Sequence, residues 1–99
     1  MRLQTVGLNY AEVLSRKGLY GWAPSLPYVL GMEAFGHVDA VGDGVSGDAI
    51  GQPRIVGAQY GAYAEAIAVP EHQALPAFPR FSAEENAAYA VNFMTAWIT

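Results

Sequence analysis

The stretch Gly42-Asp43-Gly44-Val45-Ser46-Gly47 carries the spacing G-x-G-x-x-G. Between a strand and a helix, that spacing cradles a pyrophosphate on the helix N-terminus. EAFGHVDAV (residues 33–41) supplies the strand. DAIGQPRIVG (48–57) fails as the helix, because Gly51 and Pro53 interrupt it and no helical period runs through it. Glu65 stands at a ribose-binding distance from the glycines, yet no crossover helix separates it from them. The six residues read as a hairpin or barrel-corner turn, where glycine supplies positive φ.

Composition excludes other chemistry. The 99 residues contain no cysteine, so disulfides, thiolate nucleophiles and cysteine-held metals are out. His37 and His72 stand alone, outside any metal-ligand spacing. The net charge of −4, with five scattered Lys and Arg, argues against nucleic acid as a partner. Charged residues make up 14% of the chain and hydrophobic ones 53%. A soluble domain has about a quarter charged residues, so part of the apolar surface is expected to face another domain or subunit. MRLQTVGLNY has no signal-peptide core and FMTAWI is too short to span a bilayer. A cytoplasmic setting without membrane contact is expected.

The elements that must position any site follow from local pattern. RLQTV (2–6), EAFGHVDAV, RIVGAQY (54–60) and AYAEAIAVP (62–70) read as strands, the last by its period-two alternation. AEVLSRK (11–17) reads as a short helix closed by Gly18. APSLPYVLG is an extended loop, and residues 70–81 are a second one. Ser82 and Glu85 form a capping box for a helix whose apolar face is Ala87, Ala90, Val91, Met94 and Ile98. The pattern is still running at Thr99 and the first strand has no lead-in, so the chain reads as a fragment of something longer.

GLNYAE, RKGLY, LPYVLGMEAFGHVDAVGDGV, GAYAEAIAVP and VNFMTAW occur in that order along nearly the whole chain. This ordered set resembles the medium-chain dehydrogenase/reductase superfamily, in its zinc-independent quinone oxidoreductase and enoyl reductase branch. The resemblance implies a mainly β (α+β) fold: a partial GroES-like β-barrel with one short helix near 11–17 and a C-terminal helix near 82–98. The Rossmann domain is absent from residues 1–99. They are then a fragment of the catalytic domain, ending in the helix that leads toward the cofactor-binding domain.

Zinc enzymes of the superfamily carry Cys where this chain has Asn9, and His where it has Met32. A thioether and an amide are poor zinc ligands, and Glu33 alone makes no site. No metal is expected. The implied activity is hydride transfer from NADPH to a quinone or an α,β-unsaturated carbonyl. Charge then develops on the carbonyl oxygen, and a phenol can donate a hydrogen bond to it. By its match to the family motif, Tyr20 is the catalytic candidate. The competing reading of Tyr20 is a loop tyrosine with its hydroxyl in water.

Asn9, Asn92 and Thr95 are the implied cofactor-binding residues. Asn9 as a turn asparagine and Thr95 as a hydroxyl bonding back along its helix are the structural alternatives. Glu12 replaces the family's usual aspartate with a longer arm, which is expected to disturb a local hydrogen bond. Leu14 replaces a second tyrosine, and Trp22, Tyr28, Tyr60 and Tyr63 are expected to supply core and interface area. The full-length parent is expected to be a homodimer and the 99 residues inactive alone. Two further readings stay open: a vesicle-associated homologue without a firm catalytic role, and a stand-alone GroES-like binding scaffold.

Overall fold

The computed structural model describes residues 1–21, 24, 25 and 27–98. Trp22, assigned from sequence to core or interface area, lies outside them. Four strands, β1 (Arg2–Gly7), β2 (Glu33–His37), β3 (Pro53–Gly57) and β4 (Ala74–Pro76), form one antiparallel sheet in the order β1-β2-β3-β4. The first three were legible as strands, and β1 shows the alternating burial that its pattern predicts. β4 falls in the stretch expected to be loop. It is a three-residue edge strand held by pairing of Leu75 with Ile55, and only at an edge is Pro76 tolerated.

The expected strand 62–70 is a correction, for its backbone is shared between two partners. Gly61, Ala62 and Tyr63 donate to the carbonyls of Val29, Gly31 and Leu30, while Leu3 donates to Glu65 and Ile67 to Met1. Only an isolated bridge, Arg2 with Ala66, remains of the predicted strand. The glycine-rich stretch lies in the connection from β2 to β3. That connection contains turns and a three-residue 3₁₀ segment (Gly47–Ala49) but no α-helix, and its glycines Gly44 and Gly51 have positive φ, at 84° and 88°.

Helix α1 (Tyr10–Arg16) begins at Asn9 and ends as predicted at Gly18. Gly18 adopts φ 74°, its N–H bonds Ser15, and the Leu19 N–H reaches back to Leu14 at 2.8 Å. This pair of bonds is a Schellman stop, which glycine permits without a Cβ penalty. At the other end of the chain, Ser82 and Glu85 cap each other's backbone at 3.1 and 2.9 Å and start α2 (Ala83–Ala87). The expected single helix 82–98 is then interrupted. A π-helical turn, Tyr89–Phe93, separates α2 from α3 (Met94–Ile98).

Because side chains alternate along β2, its two faces bury different neighbours. Ala34 and Val56 face a core shared with Ala62, Leu3, Ile67 and Val69. The opposite face carries Glu33, Phe35 and Ile55 and lies under the C-terminal helices. There the Thr5 hydroxyl donates to the Ala83 carbonyl at 2.9 Å. From Phe78, in the loop before α2, rings run in a row along those helices to Tyr89, Phe93 and Trp97, at centroid spacings of 4.8, 5.3 and 6.5 Å. Trp97 and Ile98 are 76% and 77% exposed. The extra residue in the π turn rotates α3, so Met94 and Ile98 leave the buried face that Ala87 begins.

Candidate functional site

Two glutamates with little or no exposure organise the helical side of the sheet. Glu12, in the first turn of α1, accepts from the Asn9 N–H at 2.6 Å, the Met32 N–H at 3.0 Å and the Tyr63 hydroxyl at 2.8 Å. The longer arm expected to disturb a bond instead spans three elements. Burial, followed by the Glu12 hydrogen bond and the charges of Glu12 and Glu33, pushes the Tyr63 phenol up to about 12. Tyr63 is thus a hydrogen-bond donor within this network, beyond the packing role expected for it.

Glu33 opens β2 and is fully buried. Its Oε1 accepts from the side-chain amides of Asn9, at 3.3 Å, and Asn92. Its Oε2 accepts from the backbone N–H groups of Val91 and Asn92, the latter at 3.2 Å. These donors sit just ahead of the first wide turn of the π segment, where Phe93 bonds back to Ala88 at 2.9 Å. A carboxylate has entered the helix ladder, a recognised cause of helix irregularity. Space for it comes from Gly7: a Cβ there would lie 2.3 Å from Glu33 Oε1.

The sequence-derived residues divide accordingly. Asn9 and Asn92, 83 positions apart in sequence by their numbers, meet on one oxygen of Glu33. Asn9 is half-buried; its N–H is capped by the Glu12 carboxylate, and the Glu12 N–H returns to the Asn9 carbonyl at 3.1 Å. Asn92 is exposed, and Thr95 is exposed three residues further on, in α3. Tyr20 is half-buried in the loop after α1, and among the described residues no hydrogen bond joins it to Asn9 or Asn92. Glu33 itself was weighed only as a metal ligand. The sequence signal for its actual role is a charged residue inside the apolar run of β2, which must find donors when buried.

A cavity of about 550 Å³ opens elsewhere, lined by Val38, Val41, Val45, Ile67, Val69 and Arg54 among others. It lies on the Ala34 side of the sheet and includes none of the network residues. Among the described residues there is no cluster of three or more His, Asp or Glu that could hold a metal ion.

The sequence profile of the alcohol dehydrogenase GroES-like domain matches residues 1–79, four-fifths of the chain. The chain belongs to that family. Within the medium-chain dehydrogenase/reductase superfamily, this GroES-like domain sits in the quinone oxidoreductase and VAT-1-like branch. It is 40% identical over 98 residues to the human synaptic vesicle membrane protein VAT-1 homolog, covering 99% of this chain and 25% of the relative. The crystal structure of the human VAT-1 homolog-like protein superposes with a TM-score of 0.89 at 34% identity, over 99% of this chain and 31% of that one. The quinone oxidoreductase of Thermus thermophilus, solved also in complex with NADPH, gives a TM-score of 0.81 at 35% identity, over 99% and 30%. The GroES-like domain thus spans about a quarter of the length of the curated relatives it matches. No helix among the described residues is long and apolar enough to cross a membrane.

Proposed function

We propose that this GroES-like domain is the substrate-side part of an NADPH-dependent, zinc-free oxidoreductase that reduces quinones or α,β-unsaturated carbonyls. The observation that carries this reading is the convergence of Asn9 and Asn92 on Glu33, in a fold shared with a quinone oxidoreductase that binds NADPH. The donor set argues against zinc: a Met32 thioether and an Asn9 amide, whose nitrogen donates to Glu33 at 3.3 Å, stand where the family's ligands would, and both are poor zinc ligands.

The exposed residues fit a nicotinamide edge. Asn92, within the π turn, offers a carbonyl acceptor, and Thr95 carries its hydroxyl three residues further on, in α3. These two would hold the carboxamide, with Asn9 bracing Glu33 behind them. NADPH, when bound, supplies the hydride. Tyr20 donates a hydrogen bond to the substrate oxygen on which negative charge develops, and the proton reaches that oxygen or the α-carbon from solvent through the phenol. The exposed row ending at Trp97 and Ile98 supplies apolar area for a cofactor-binding domain. The 99 residues alone are then inactive, and any homodimer forms through that other domain.

A chimera tests the reading. Residues 1–99 replace the matching segment of the Thermus thermophilus quinone oxidoreductase, and quinone-dependent NADPH oxidation is followed. The expected outcome is turnover that Tyr20→Phe lowers by at least about tenfold in kcat, with little change in NADPH affinity. A folded chimera that binds NADPH and turns over neither quinone nor enal overturns it. That result would favour the second reading, a vesicle-associated homologue binding cofactor without catalysis. The 34–40% identity to human VAT-1 homologs supports this alternative.

A further inference from the structure

An asparagine on a ligand surface can offer a donor or an acceptor, and which one depends on what fixes its amide. At Asn92 the chemistry of the neighbours decides. A carboxylate oxygen and a backbone carbonyl only accept. The Asn92 Nδ2 faces one of each, Glu33 Oε1 and, at 3.1 Å, the Leu8 carbonyl. Both amide hydrogens are therefore spent inward. Turning the amide over would set its oxygen against two other acceptors. The residue is nonetheless exposed, and among the described residues its Oδ1 receives no hydrogen bond.

We infer that Glu33 is a positioning residue that locks Asn92 with nitrogen inward and oxygen outward, so that this edge of the site recognises hydrogen-bond donors and rejects acceptors. Naming the ligand rests on the nicotinamide reading above: the carboxamide NH₂ fits Asn92, and a quinone oxygen does not. The donor to a substrate carbonyl must then come from another residue. Asn86 provides a built-in contrast. Its Nδ2 donates to the carbonyls of Phe78, Phe81 and Ser82, but its Oδ1 is also taken, by the Phe78 N–H at 2.9 Å. Asn86 is an amide closed on both ends, whereas Asn92 is closed on one.

The test reads the side-chain amide resonances of the full 99-residue chain by NMR. In the wild type both Asn92 amide protons should exchange at least about tenfold more slowly than those of an unstructured asparagine, alongside the Asn86 pair. Exchange at the unstructured rate overturns the lock without any variant. In Glu33→Gln the Gln amide must face Asn92, because the backbone N–H groups of Val91 and Asn92 hold the remaining oxygen. Asn92 protection should then fall about tenfold while Asn86 is unchanged; Asn92 protection that persists overturns the proposal.

Titration of the wild type with reduced nicotinamide mononucleotide, and with its 3-acetylpyridine analogue, which lacks the amide NH₂, reads the outward oxygen. The expected result is a shift of the Asn92 side-chain carbonyl resonance by the first compound, with about tenfold weaker binding of the second. Equal binding of the two overturns donor recognition. A protected Asn92 amide with no shift by either compound upholds the lock and counts against the nicotinamide reading alone.

Discussion

One residue along β2 separates two regions built on opposite principles. Ala34 faces an apolar core in which contacts are interchangeable, with an open cavity of about 550 Å³ on the same side of the sheet. Glu33, its neighbour, faces amide and backbone N–H donors with no atom to spare. The apolar side is stabilised by area, so each residue contributes in proportion to what it buries. The polar side is stabilised by completeness, because a single missing partner strands several buried groups together.

Three substitutions can break or sharpen that contrast. Replacing Glu33 by Leu removes both carboxylate acceptors, which strands the Val91 and Asn92 N–H groups and the Asn9 amide and leaves the Asn92 amide only the Leu8 carbonyl. A loss of more than about 3 kcal/mol is expected in urea denaturation; a loss under about 1 kcal/mol would show that water satisfies the donors. On the other side, Val56→Ala should cost about 2 kcal/mol, the burial of its lost methyl groups plus a small cavity. That cost should not vary with pH, and equilibrium unfolding at two pH values checks it.

The smallest effect is expected at the rim of the polar side. Tyr63→Phe removes one hydrogen bond to a carboxylate and should cost about 1.5 kcal/mol at neutral pH. The phenol's folded value, about 12, lies above its ordinary 10.0. Its contribution is therefore complete below the ordinary value and fades as pH rises toward the folded one. Wild-type stability should fall across that window, whereas the Phe variant should not show this component. Ultraviolet phenolate absorbance would place the titration, and ionisation at the ordinary value would remove Tyr63 from the network.

Local signals were enough for much of the architecture. Alternation found β1, the Ser82–Glu85 box found the start of α2, and Gly18 found the end of α1, because each is settled within a few residues. Failures came where distant partners decide. Ala74–Pro76 becomes a strand only because β3 lies beside it, and residues 62–70 lose their strand because two partners divide them. The candidate site shows the same limit. Asn9 and Asn92 were named one by one through family motifs, but their meeting on Glu33 depends on the fold. The bonds of Glu12 to Met32 and Tyr63 were missed because a carboxylate's reach to another element cannot be read from its own segment.

The π turn has a consequence for how this segment tolerates insertions and deletions. Each added or deleted residue rotates the rest of an α-helix by about 100°. Tyr89–Phe93 holds its register through the carboxylate of Glu33, which is anchored in a different part of the chain. A single-codon change between Ala88 and Phe93 would therefore carry Thr95 and Trp97 to another side of the helix while α2, capped at Ser82, stayed in place.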